Sequence, residues 1–257
     1  MANKKMPVVF AGHGSPLNAI LGNRFSREWR AMGAELPKPE KILAISAHWN
    51  THGSLINSDE YPEQIYDMYG FPDELYQLRY DAPGSPELAA RVRELAAADV
   101  SVNNDWGIDH GVWSILHQMY PEADVPIVQL SVNADAEPEE LFQIGKSLKP
   151  LRDEGVMIFA SGDIVHNLGM VNWELDGCYD WAEAFDNKVT GLVTSGGWDQ
   201  IVDYRSLSPD WRRAIPTPEH FVPLIYALGA ADKEDKVIIH NQGGELGSIT
   251  MTSFVFE

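Results

Sequence analysis

A chain of 257 residues with 44% apolar side chains can bury a sizeable core as one α/β unit, and 38 acidic against 19 basic residues exclude the clustered basic surface a nucleic-acid partner needs. The lone cysteine, Cys178, excludes an internal disulfide framework and fits a reducing compartment. No run approaches the roughly 20 apolar residues of a membrane span, and MANKKMPVVF lacks the apolar core of a signal peptide, so a cytoplasmic protein is expected.

Strand-like apolar runs at 6–10, 41–46, 126–131 and 156–161 alternate with helical patterns. Ser85-Pro86-Glu87 offers an N-cap and an N1 proline before LAARVRELAAA, and Glu137-Pro138 opens LFQIGKSL. Trp181, Phe185, Val189 and Leu192 give residues 178–194 one apolar helical face. Val237–His240 and Gly247–Phe254 read as closing strands. The pattern predicts a single α/β domain over 1–257, with a largely parallel central sheet and helices on both faces. Residues 50–83 lack periodicity and carry Tyr61, Tyr66, Tyr69, Phe71, Tyr76 and Tyr80. A loop of that length is either a lid over a site or a satellite cluster packed on the body, and the two are compatible.

Three of the strand runs lead into a histidine: His13 within Gly12-His13-Gly14-Ser15-Pro16, His48 in Ser46-Ala47-His48-Trp49, and His166 in Gly162-Asp163-Ile164-Val165-His166. Ligands bind outside the carboxyl ends of the strands in open α/β sheets, so these three define a candidate site. Thr217-Pro218 reads as the N-cap and N1 of a helix that Gly229 stops, which puts His220 in its first turn. The helix dipole there favours neutral imidazole, the metal-binding form, although a surface histidine fits the same position. His110, flanked by Asp109 and Gly111, reads either as a pocket wall oriented by Asp109 or as a capping histidine. His52, His117 and His240 have no such context. Ser15 superficially suggests a nucleophile, but no motif sets a base beside it, and Walker A, G-x-S-x-G and dinucleotide motifs are absent. Cys178 has no neighbouring histidine and reads as buried and inert.

The motifs GHGSP at 12–16, SAHW at 46–49, DHGVW at 109–113, SGDIVHNL at 161–168 and TPEHFVPLIYALGA at 217–230 resemble those of the class III extradiol ring-cleavage dioxygenases, in the DOPA 4,5-dioxygenase-like branch. They occur in the family's order and cover essentially the whole chain. The resemblance implies one mononuclear divalent metal at the sheet edge, held by His13, His48 and His220. It implies that His166 is the acid/base, near enough to touch the metal as well, and that His110 and Ser15 meet the substrate. Neighbouring residues in a helical turn point about 100° apart, so Glu219 is not expected to share the metal with His220. Fe(II) is expected for ring cleavage, and Zn(II) fits three neutral imidazoles equally well as a bound or isolated form. The implied partners are a small aromatic catechol and O₂, in a monomer or small homo-oligomer, with no membrane or nucleic acid. Two other readings use the same histidines: a zinc-dependent hydrolase and a non-enzymatic, metal-stabilised interaction protein. The catechol itself stays open among DOPA, caffeate, protocatechuate-like acids and catechol.

Overall fold

The computed structural model describes residues 5–257. Its strands are β1 (Val8–Gly12), β2 (Lys41–Thr51), β3 (Ser54–Ile56), β4 (Val100–Val102), β5 (Ile127–Asn133), β6 (Val156–Gly162), β7 (Val237–His240), β8 (Gly244–Glu245), β9 (Ile249–Thr250) and β10 (Ser253–Phe256). Eight of them form one sheet in the order β4-β3-β5-β2-β6-β1-β10-β7, while β8 and β9 make a separate short ribbon. The central four, β5-β2-β6-β1, are parallel. At one edge β10 and β7 are antiparallel, and at the other β3 runs antiparallel to β5. The predicted α/β architecture, a largely parallel sheet covered on both faces, is therefore the observed one.

Period-two side-chain alternation divides the strands between two cores. Val8, Phe10, Leu43, Ile45, Ile158 and Ala160 face one layer; Val9, Ala11, Ile42, Ala44, Met157 and Phe159 face the other. The helices are α1 (Arg24–Glu35), α2 (Asp73–Gln77), α3 (Pro86–Leu95), α4 (His110–Met119), α5 (Pro138–Ser147), α6 (Asp180–Ser195), α7 (Trp198–Val202), α8 (Trp211–Ala214) and α9 (Val222–Ala230). The first layer receives α3, α5, α6, α7 and α9, and the second receives α1, α4 and the aromatic segment. Two predicted helix starts form as read: the Ser85 hydroxyl accepts from Leu88 N–H, and Glu137 with Glu140 makes a capping box.

Five local expectations are corrected. β2 continues five residues beyond Ser46, and its pairing with β5 jumps from Ser46 opposite Ser131 to Asn50 opposite Val132. His48 thus stands in an irregularity within the strand rather than past its end; such a bulge re-aims side chains. Residues 247–254 are not one strand, because Ile249–Thr250 pairs in the ribbon before β10 joins β1. Segment 50–83 is not all loop: it includes β3 and α2, and Leu75 and Tyr80 are buried in the second core. The C-terminal helix starts at Val222, so His220 lies in the turn before it; the Thr217 hydroxyl donates to Glu219 instead of capping. Gly229 lies inside α9, not after it, because α9 crosses α5 so closely that a Cβ there would overlap the Phe142 carbonyl.

Candidate metal centre

The carboxyl edge of the sheet is marked by a row of buried serines. Ser46 of β2 lies opposite Ser131 of β5 on one side and Ser161 of β6 on the other. Each interrupts an apolar run where the strand meets polar chemistry. Ser46 donates to Asp109 at 2.7 Å, and Ser161 donates to the Gly111 carbonyl at 2.5 Å. Both partners flank the start of α4, so the row ties the strands to the helix that carries His110.

Five histidines converge above this row. His13 follows directly on β1, and the ring centroids of His13, His48 and His220 are 4.9–5.2 Å apart. His110 lies 3.9 Å from His48, and His166 stacks flat on His220 at 3.5 Å. Ligating atoms of His13, His48 and His110 lie within 4.8 Å of one another, as do those of His13, Asp163 and His220. The fold therefore brings together every histidine predicted for the site. His52, His117 and His240 stand apart: His52 pairs with Asp135, His240 with Glu28, and the His117 ring lies beside Tyr80.

Hydrogen bonding sets the tautomers. Since the Ser161 hydroxyl already donates to Gly111, it accepts from His13 Nδ1 at 3.0 Å, which leaves Nε2 of His13 a bare lone pair. His48 Nδ1 lies 3.1 Å from Asp67 Oδ2, and His220 Nδ1 lies 3.3 Å from Glu219 Oε1. A carboxylate behind Nδ1 selects the same tautomer, with Nε2 free. The Nε2 atoms of His13 and His48 face each other at 3.1 Å, and Nε2 of His220 is buried with no hydrogen-bond partner among the described residues. Two opposed lone pairs and a third stranded one are costly unless a cation lies between them. The donor set thus fits a nitrogen-ligated divalent metal.

Burial and the neighbouring rings hold His13 and His220 well below the ordinary imidazole value, and burial lowers His110 too. His166 is brought down to about 4, chiefly by burial and then by His48. For His48, burial pulls down but Asp67 beside it wins, and the value rises. Burial pushes up the Asp67 carboxyl, yet His110 and His48 outweigh it and keep the group an anion. His13, His110, His166 and His220 are thus held neutral, the state in which imidazoles bind metal, while His48 is the ring that the ionised Asp67 favours as a cation.

Backbone contacts place His220 and His166. Asp163 N–H donates to the His220 carbonyl at 2.8 Å, an approach open only because Gly162 lacks a Cβ. The β8–β9 ribbon backs His166, which bridges to Ile249, and its Glu245 accepts from Ser15 N–H at 2.6 Å. The Ser15 hydroxyl accepts from Leu17 N–H, closing the turn after His13. Asp109 does not orient His110. It is taken up by Ser46, Trp106 and Gln129, and Asp67 meets His110 instead.

Four contributors escaped the sequence reading: Ser161, Asp163, Asp67 and Glu245. Ser161 and Asp163 sit inside the SGDIVHNL motif, where a polar pair closing an apolar strand was a usable signal. Asp67 lies among tyrosines, and Glu245 among the glycines of GGELG, with no local cue.

Residues 13–256 match the family described as the catalytic LigB subunit of aromatic ring-opening dioxygenase. The chain is 42% identical to a 4,5-DOPA dioxygenase extradiol of Escherichia coli (strain K12), over 98% of this chain and 95% of that protein. It is also 42% identical to a 4,5-DOPA dioxygenase extradiol of Beta vulgaris, over 95% and 96% of the two chains. A crystal structure of an uncharacterized protein from Escherichia coli K12 superposes with a TM-score of 0.86 at 39% identity, covering 98% of this chain and all of that one.

Proposed function

Because the chain belongs to the family of the catalytic LigB subunit of aromatic ring-opening dioxygenases, and is an extradiol ring-cleaving dioxygenase, we propose that His13, His48 and His220 hold one divalent metal and that the substrate is a DOPA-like catechol. The observation that carries the ligand assignment is the convergence of three bare Nε2 atoms, each ring fixed from behind through Nδ1. Glu219 supports the outer edge of His220 and is not itself a ligand. The catechol is proposed from the names of the relatives, which act on DOPA.

A redox-active Fe(II) held by these histidines would supply what no side chain here can: an electron path from the catechol to O₂, whose triplet ground state bars direct reaction. Zn(II) would be held by the same three nitrogens but, having no redox chemistry, would not support ring cleavage. The protein's own part is proton handling and placement. His166, neutral at physiological pH, would accept a proton from a catechol hydroxyl at a free ring nitrogen and hold it for return to the product. Its flat stack on His220 keeps that ring beside the reacting atoms. His110 borders the ligands from the α4 side and contacts the substrate, as does Ser15, whose hydroxyl proton is free to donate.

Loading the protein anaerobically with Fe(II) and following oxygen uptake with DOPA, caffeate, protocatechuate and catechol tests the reading. Stoichiometric uptake with DOPA, yielding a semialdehyde, is expected; no uptake with any of the four overturns the substrate class. Metal analysis of His13→Ala and His48→Ala checks the ligands. Occupancy should fall well below the parent, and full occupancy in both sinks the assignment.

A further inference from the structure

Asp67 is the residue of the aromatic segment that enters the histidine cluster. Its Oδ2 lies 3.1 Å from His48 Nδ1, and its Oδ1 lies 3.0 Å from His110 Nδ1 and accepts from the His110 backbone N–H at 2.9 Å. The base of the segment is fixed independently: Ile65 N–H donates to the Ile108 carbonyl and Ile108 N–H to the Glu63 carbonyl, both at 2.8 Å, and Trp113 donates to the Ile65 carbonyl at 2.9 Å. Two residues past Asp67 the chain is open to solvent, where Tyr69 is 92% exposed. Asp67 is the polar attachment between that tip and the site.

We propose that Asp67 is a positioning residue that couples the seating of the aromatic tip, residues 66–71, to occupancy of the metal centre. This rests on the metal reading above. A cation on Nε2 of His48 withdraws charge through the ring and strengthens Nδ1–H as a donor to Asp67. Conversely, the carboxylate makes His48 a more basic ligand. Coupling of this kind is reciprocal: whatever metal gains from a seated tip, the tip gains from bound metal.

A purely structural role is available to the same side chain. Helix α4 has no side-chain cap from its own N-cap residue Asp109, and Asp67 Oδ1 satisfies its first amide. Asp67→Asn separates the two roles, because the amide oxygen still caps α4 while the NH₂ cannot accept from His48. The experiment uses zinc alone on the full chain, with affinity from chelator competition and hydrogen exchange of residues 66–71 with and without metal. In the parent, zinc should slow exchange across 66–71. In Asp67→Asn, zinc should bind ~10–100-fold more weakly, and the zinc-dependent slowing should vanish while exchange in α4 stays at the parent level. Asp67→Glu, which keeps the charge, should recover part of the affinity. Parental affinity and parental slowing in Asp67→Asn would leave Asp67 a helix cap and overturn the proposal. Zinc binding by the parent with no change in exchange at 66–71 overturns it without any variant. A parent that takes up no zinc overturns the metal reading, and this proposal with it.

Discussion

His166 and His220 are stacked imidazoles 3.5 Å apart with different duties in the proposed mechanism. His166→Gln should keep its metal, since the three ligands are untouched, while turnover falls by ~10²–10⁴, the usual range for removing an acid/base group. Metal content and steady-state rate measured on one preparation check this; near-parent turnover removes His166 from the mechanism. A second residue bears on stability. Asp186 on α6 is buried, accepts from Thr252 at 2.7 Å, and has a second oxygen with no partner among the described residues. Burial, with repulsion from Glu183, raises its carboxyl from 3.8 to about 6. Between those values the folded chain binds more protons than the unfolded one, so stability falls as pH rises from about 4 to about 6. Above that window the ionised, buried group costs about 2–3 kcal/mol. Asp186→Asn should therefore unfold at higher urea than the parent at pH 7, with the gap closing toward pH 4. An unchanged gap across that range would contradict the assignment.

Among the elements, α9 shows how packing selects residues that propensity would reject. Gly229 and Gly145 lie where α9 and α5 cross, each opposite a carbonyl of the other helix, and a Cβ at either would overlap it. Gly229→Ala ought to stabilise an isolated helix by about 1 kcal/mol. Here it should instead destabilise the protein by about 1–3 kcal/mol, because two packed helices must separate. Urea unfolding gives the sign directly. The same crossing explains why a glycine that looked like a stop signal was none: α9 is apolar on every side and buried throughout, so its end is set by tertiary contact. The bulge in β2 belongs here as well. KILAIS reads as a complete strand, yet β2 runs on past it because β5 offers continued pairing, Asn50 opposite Val132 and Thr51 opposite Asn133.

At the scale of the molecule, metal should act as a ligand that binds only the folded state. Zinc at 100 times its dissociation constant adds about 2.7 kcal/mol, raising the thermal midpoint of a chain this size by roughly 5–10 °C. His48→Ala should show no such rise, and a chelator should reverse it in the parent. Differential scanning fluorimetry with and without zinc measures both. Among the described residues no helix is long and apolar enough to cross a membrane. The chain itself determined what is local. Short continuous apolar runs made the central strands, Ser85 and Glu137 marked helix starts, and five motifs carried His13, His48, His110, His166 and His220. Those signals lie within a few residues of one another, where backbone geometry is written directly into side-chain order. Tertiary structure alone decided the partners. Asp67 meets His110 across 43 positions, Asp163 accepts from Gly14 across 149, and the buried Arg152 pairs with Asp235 across 83. A single carboxylate has no periodicity, so nothing around it in the chain announces its partner; strand order and helix crossings bring the two together.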